Sequence, residues 1–142
     1  IAPLHVNLRT GTVMSLTNTA TGRLFAAYMP PKVVERILND ELQRLGTRKD
    51  AKGEPAHAEL DAALAETRKH GLSRSLGQPI PGIDALCAPV FDSAGHLVLG
   101  ILAMGPSASF DSSWDGSVAT PLRQCALQVS QRIGRTAPPV PG

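Results

Sequence analysis

Apolar side chains along this chain fall into stretches of two different periods. The most regular runs from Pro31 to Leu45, where Val33, Val34, Ile37, Leu38, Leu42 and Leu45 recur every three or four residues as one stripe, with Gly46 placed to end the helix. Upstream, Asn18 and Thr19 are two good N-cap residues ahead of a shorter helix carrying Leu24, Phe25 and Tyr28, closed by Pro30-Pro31. Gly22 inside it predicts close approach by another backbone. Residues 47–55 are polar and turn-rich, and they lead into a third helix with Leu60, Ala63, Leu64 and Thr67 inward and Gly71 at its end. Glu59 and Asp61 near its start, and Arg68, Lys69 and His70 in its last turn, complement the helix dipole.

The period then changes. Residues 73–82 read as irregular and Pro/Gly-rich, Ile83 to Phe91 as a strand, Asp92 to Gly95 as a tight connection, and His96 to Met104 as a second strand, together a β-hairpin. The almost unbroken apolar run of the second strand predicts burial on both its faces, and Gly105-Pro106 stops it. A last helix is expected from about Trp114 to Arg135, with Val118, Leu122, Cys125, Val129 and Ile133 in a stripe. Ser112 with Asp115 resembles a capping box, while Pro121 after Thr120 offers a later start, so the sequence leaves two beginnings open. Residues 1–16 read as an extended segment, and 137–142 as a disordered tail.

Composition narrows the class. With 142 residues, 42% hydrophobic and 18% charged, the chain suits one folded domain and is too apolar for a disordered segment. Fourteen basic against twelve acidic residues leave +2, with Arg9, Arg23, Arg44, Arg68 and Arg123 scattered, so no nucleic-acid footprint is visible. The denser groups, Arg48-Lys49 with Lys52, interrupted by Asp50, and Arg68-Lys69-His70, read as solvated surface. Cys87 and Cys125 sit in apolar surroundings without C-x-x-C spacing and read as reduced core residues of a cytoplasmic protein. The apolar run Leu97 to Met104 is too short to span a bilayer, no signal peptide opens the chain, and no membrane partner is expected. A start at Ile1 suggests a fragment of a longer polypeptide.

Candidate chemistry is sparse. His5, His57, His70 and His96 fall on four separate segments without ligand spacing, so no metal or cofactor is expected, and the Gly-rich phosphate and nucleophile-elbow motifs are absent. Cys87 lies among Leu86, Ala88 and Val90, surroundings that raise a thiol pKa and favour a core role over a nucleophile. Asp84, Asp92, Asp111 and Asp115 sit where turns and caps account for them. Trp114 reads as a hydrophobic anchor rather than a ligand stack, whereas Leu102 and Met104, on one strand face, suit a cavity wall and plain core equally well.

Three stretches taken in order add what periodicity cannot. Leu16-Thr17-Asn18-Thr19-Ala20-Thr21-Gly22-Arg23-Leu24-Phe25-Ala26-Ala27 is a polar turn entering a helix; Arg68-Lys69-His70-Gly71-Leu72 is a step out of one; Ala88-Pro89-Val90-Phe91-Asp92, with Gly95 and then Gly105-Pro106, is a hairpin with its exit. Their order and spacing over about Gly11 to Gly134 resemble the ligand domain of the IclR family of bacterial transcriptional regulators, with Arg23 where Lys is usual and Leu72 where an aromatic is usual. The resemblance implies an α/β (α+β) GAF-like domain over residues 1–136, a curved antiparallel sheet with helices packed on its faces. It implies that the DNA-binding winged helix and first strands precede Ile1, that DNA is contacted only through that absent domain, and that the regulator is a homodimer or homotetramer rather than an enzyme.

In proteins of this family the effector lies between the concave sheet face and the polar turn. Carried over position by position, that lining becomes Ala20, Thr21, Ser75, Ile83, Ala85, Leu102 and Met104, and the residues' own reading adds Asn18 and Thr19 at a helix start whose free N–H groups favour an anion. Relatives that bind small keto-acids tend to carry an acid at the position of Ser75 and serines at those of Leu102 and Met104. The loss of those polar groups, with Gln78 as one further polar neighbour, points to an organic acid with an apolar body, aromatic acids included. Two competing functions remain: a small cytosolic hydrolase or isomerase using Cys87 or a Thr/Ser cluster, and a purely structural dimerisation module.

Overall fold

The chain enters its first helix, α1 (Ala20–Tyr28), through a turn built from hydroxyl and backbone hydrogen bonds. In the computed structural model, which describes residues 15–45 and 57–136, Thr19 is the N-cap. Its Oγ1 accepts from the Gly22 amide at 2.8 Å and donates to the Ser15 carbonyl at 2.6 Å. A Cβ on Gly22 would run into that same Ser15 carbonyl oxygen and lie 2.7 Å from the Leu16 Cα. The close approach expected at Gly22 is therefore to the turn preceding its own helix.

The next helix, α2 (Pro31–Leu45), has the predicted bounds and adds a second hold on the turn. Glu41, only 6% exposed, accepts from the Ser15 hydroxyl and, at 3.1 Å, from the Leu16 amide. The stripe is buried only along part of its width: Leu38 and half-buried Val34 pack with Ala26 and Ala27, while Val33 and Ile37 are exposed. The Leu42 and Leu45 side chains, the Gly46 cap, the 47–55 loop, the 1–14 segment and the 137–142 tail lie outside the described residues.

In α3 (His57–His70) the residues expected inward are so: Leu60, Leu64 and Thr67 are buried and Ala63 half-buried. Gly71 ends it at φ +72°, its amide donating to the Thr67 carbonyl at 2.9 Å. Arg68 and His70 are not simply solvated charges. Arg68 Nε donates to the Ala27 carbonyl at 3.1 Å, tying α3 to the end of α1, and the His70 ring stacks on Trp114 with centroids 4.3 Å apart.

The segment after Gly71 corrects the expectation of an irregular stretch, because its first four residues form a strand, β1 (Ser73–Leu76). It has no apolar alternation to announce it; its inward residues Ser73 and Ser75 are buried serines, and the Ser73 hydroxyl donates to the Ala20 carbonyl. It pairs with β2 (Ile83–Phe91), which pairs with β3 (Leu97–Pro106), in an antiparallel sheet of order β1-β2-β3 among the described residues. The register places Ser75, Ala85 and Met104 in one row and Ser73, Cys87 and Leu102 in the next. Asp92 shapes the hairpin turn, its Oδ1 accepting from the amides of Ala94 and His96 at 2.9 Å, and Gly95 takes φ +81°.

Burial on both faces belongs to β2 rather than β3. The central strand has α1 on one face, through Ala20, Leu24, Ala85 and Cys87, and the last helix on the other, through Leu72, Leu86, Ala88 and Val90. β3 leaves Val98, Leu99, Leu102 and Met104 exposed, and it continues through Pro106 instead of stopping at Gly105.

That helix, α4 (Ala119–Thr136), takes the later of the two possible starts, with Pro121 in its first turn, where a residue without an N–H is best tolerated. No Ser112–Asp115 box forms. Asp111 organises the approach instead, accepting from the Ser117 amide at 2.8 Å, the Ser117 hydroxyl at 3.0 Å and the Ser113 amide at 3.1 Å, bonds that hold its carboxyl well below the usual carboxylate range. The buried stripe is Ala119, Leu122 and Ala126, flanked by Val118, Val129 and Ile133. Cys125 falls one position off it and is exposed, which corrects its reading as a core thiol.

Replacing Gly22 with Ala tests the turn contact. Ala is worth at most about 1 kcal/mol over Gly in a helix, but forcing a methyl into packed backbone costs about 1–3 kcal/mol, so a net loss of up to about 2 kcal/mol is expected in urea denaturation. A variant more stable than the parent would show that the turn does not press on α1.

Candidate functional site

The start of α1 stands over the row Ser75–Ala85–Met104, and between them lies a cavity of about 30 Å³. It is lined by Thr19, Ala20, Thr21, Ser75, Gln78, Pro79, Ile80, Ile83, Ala85, Leu102 and Met104. Eight of the nine residues singled out in the sequence thus meet around one space, while Asn18, half-buried with its Oδ1 unpartnered, is not among the lining. Pro79 and Ile80 were not foreseen. They belong to the turn between β1 and β2, which Asp84 fixes by accepting from the Gly77 amide at 3.0 Å and the Ser107 hydroxyl at 2.7 Å.

The polar content of the cavity gathers at one end. Thr19 Oγ1 is used by the Gly22 amide, leaving the Ala20 and Thr21 amides as the unclaimed donors of the helix start, a positive pole that favours an anion by about 0.3–1 kcal/mol. Ser75 is 2% exposed and lines the same space. Leu102 and Met104, 43% and 42% exposed, form the apolar wall and the mouth together. The cavity has room for a water-sized occupant, with Leu102 and Met104 along its exposed side.

Cys87, one row along, faces α1 beside Leu24. Burial pushes its thiol up to about 11, against the opposing pull of a Thr21 side-chain hydrogen bond. A neutral thiol at ordinary pH is a poor nucleophile, which weighs against the hydrolase reading through Cys87. A larger groove of about 510 Å³ lies along α4 and β2, and two of its polar side chains are committed elsewhere: Arg123 Nη1 donates to the carbonyls of His70 and Trp114, and Ser130 Oγ accepts from the Phe91 amide while donating to the Ala126 carbonyl. Among the described residues no three His, Cys, Asp or Glu side chains gather as a metal site, and no helix is long and apolar enough to cross a membrane.

A family model described as the C-terminal domain of the bacterial transcriptional regulator IclR matches residues 2–131. The chain belongs to the IclR family. HmgR of Pseudomonas aeruginosa, an IclR-family neighbour, is similar with a TM-score of 0.75 and 28% identity, over 97% of this chain and 53% of that one. IclR of Thermotoga maritima is similar in fold at a TM-score of 0.63 and 22% identity, over 92% of this chain and 54% of that one. Among curated proteins, the HTH-type regulator RhmR of Escherichia coli K12 is 23% identical over 138 residues, 96% of this chain and 52% of its own length. The chain therefore spans about half the length of these IclR relatives. Its α+β architecture is the GAF-like fold of IclR C-terminal domains, the effector-binding half of transcriptional regulators.

The two thiols should separate cleanly under a maleimide reagent. One equivalent, at Cys125, reacts quickly, and Cys87 reacts only slowly up to about pH 9, since its thiol stays neutral until pH nears 11. Fast labelling of Cys87 in the folded protein at pH 7 would overturn the assignment and revive a reactive-thiol function.

Proposed function

We propose that this domain senses an organic acid and that the sensed acid controls DNA binding by the full-length regulator. The observation that carries the reading is one space lined at one end by the Ser75 hydroxyl and the helix start at Ala20 and Thr21 and at the other by an apolar wall of Leu102 and Met104. A carboxylate meets the helix start and an apolar body, aromatic bodies included, meets Leu102 and Met104, each gaining about 25 cal/mol for every Å² removed from water. No His, Lys, Asp or Glu stands among the lining residues to activate the Ser75 or Thr21 hydroxyl as a nucleophile, which favours binding over turnover.

Control of DNA requires the ligand to bind one arrangement of paired domains better than another, shifting the spacing of DNA-binding domains on the same polypeptide. The working unit on this reading is a cytoplasmic homodimer or homotetramer, with DNA touched only by the part of the regulator outside this chain.

A thermal-melt screen against short keto-acids and aromatic acids tests the ligand class, because a ligand at about 100 times its dissociation constant stabilises by about 2.7 kcal/mol. A rise confined to acids with apolar bodies is the expected result, lost in Thr21→Leu and reduced in Ser75→Ala. A rise with small polar keto-acids alone would overturn the ligand class, and unchanged affinity in Thr21→Leu would overturn the placement.

A further inference from the structure

A second cleft, of about 270 Å³, opens around the outer edge of β1, where Arg23 from α1, Glu66 from α3, Arg74 and Leu76 from β1, Gln78 and Trp114 converge. We propose that this cleft binds a small zwitterion of the amino-acid type, its carboxylate on Arg74, its ammonium on Glu66 and its apolar side chain on Leu76. This goes beyond the acid-sensing cavity, with which it shares only Gln78.

The charged groups are held in place before any ligand arrives. Arg74 lies over the Trp114 ring at 4.1 Å and spends one hydrogen bond, from Nη1 to the Ser112 carbonyl at 3.1 Å, so the described residues offer its Nε and Nη2 no acceptor. A guanidinium steered by an aromatic face, with one edge unspent, is suited to a planar carboxylate. Arg23 adds a second positive charge while bound to the carbonyls of Thr17 and Arg74 at 2.8 and 2.7 Å. Across the cleft, Glu66 presents a carboxylate that is half exposed and anchored through Oε2 to His70 Nε2 at 3.0 Å. The same His70 stacks on Trp114, so the carboxylate and the Arg74 guanidinium are both positioned from one indole.

Both signs of charge in one cleft decide the ligand class. A simple anion would satisfy Arg74 and be repelled by Glu66; a simple amine would meet the reverse. A molecule with an ammonium and a carboxylate on neighbouring atoms answers both, and Leu76, 51% exposed on a strand, offers contact for an aliphatic side chain.

Trp114 is the chain's single tryptophan, so its fluorescence reads this cleft. Titration with L-leucine should give a saturable change in emission, with a dissociation constant at or below about 1 mM, a range set by contacts of this number and exposure. Glu66→Gln should weaken it about tenfold, and so should Arg74→Lys; if Arg74→Lys fails to fold by circular dichroism, Glu66→Gln decides. The single-charge analogues 4-methylpentanoate and isopentylamine should each bind at least about tenfold more weakly. Thr21→Leu, which blocks the cavity under α1, should leave the leucine response in place. Three results would overturn the proposal: no saturable change in folded wild-type protein, an analogue binding as tightly as leucine, or a response that disappears in Thr21→Leu. The last would move the ligand to the other cavity.

Discussion

The Ser73 hydroxyl donating to the Ala20 carbonyl, with Arg23 reaching from α1 to the carbonyls of Thr17 and Arg74, fixes the first turn of α1 against β1. Buried serines on a strand are expensive unless they find partners, and Ser73 finds one in a carbonyl of the helix lying over it. Thr19, Gly22 and Glu41 then complete the turn from the helix side. Several other features depend on this junction. It sets the height of α1 above the sheet, hence the cavity between them, and it leaves β1 with its Arg74 carbonyl already occupied rather than open to another strand.

The same junction explains why one serine is sealed and its neighbour is not. Ser73 and Ser75 share a face of β1, but only Ser73 lies beneath a carbonyl; Ser75, two residues on, looks into the space beyond the helix start. A hydroxyl that lines a cavity can bond a ligand or a water there, which a sealed one cannot. Combined with the exposed side chains of Leu102 and Met104 on β3, the cavity joins a polar end to an adaptable apolar one.

Much of this was legible in the chain because the relevant signals are local. The hairpin declares itself through Ala-Pro-Val-Phe-Asp and Gly95, α2 through its stripe, and α1 through Thr19 and Pro30-Pro31. What was not legible depends on partners far away in sequence. β1 reads as loop because its inward positions are polar and only Ala20, 53 residues earlier, makes Ser73 a core residue. The apolar run of β3 suggested two covered faces, yet cover comes from α1 and α4, which centre on β2. Cys125 and Ala126 are adjacent, and periodicity alone does not say which of two small neighbours the sheet will take. The lining of the cavity followed from family resemblance, since no local rule marks Ser75 or Ala85; Pro79 and Ile80 escaped because the Asp84 clamp that fixes their turn is a tertiary contact.

The distance in sequence between the groups that build this junction also bears on the order of assembly. β2 and β3 meet across a short turn, so their pairing closes a small loop, whereas docking α1 on β1 must bring together residues more than fifty positions apart. Loop-closure entropy makes the hairpin the natural early structure and the α1 junction a late one. The cavity is then among the last features to exist on the way to the native state, and a molecule that occupies it acts chiefly on how long the finished domain persists, and less on how fast it forms.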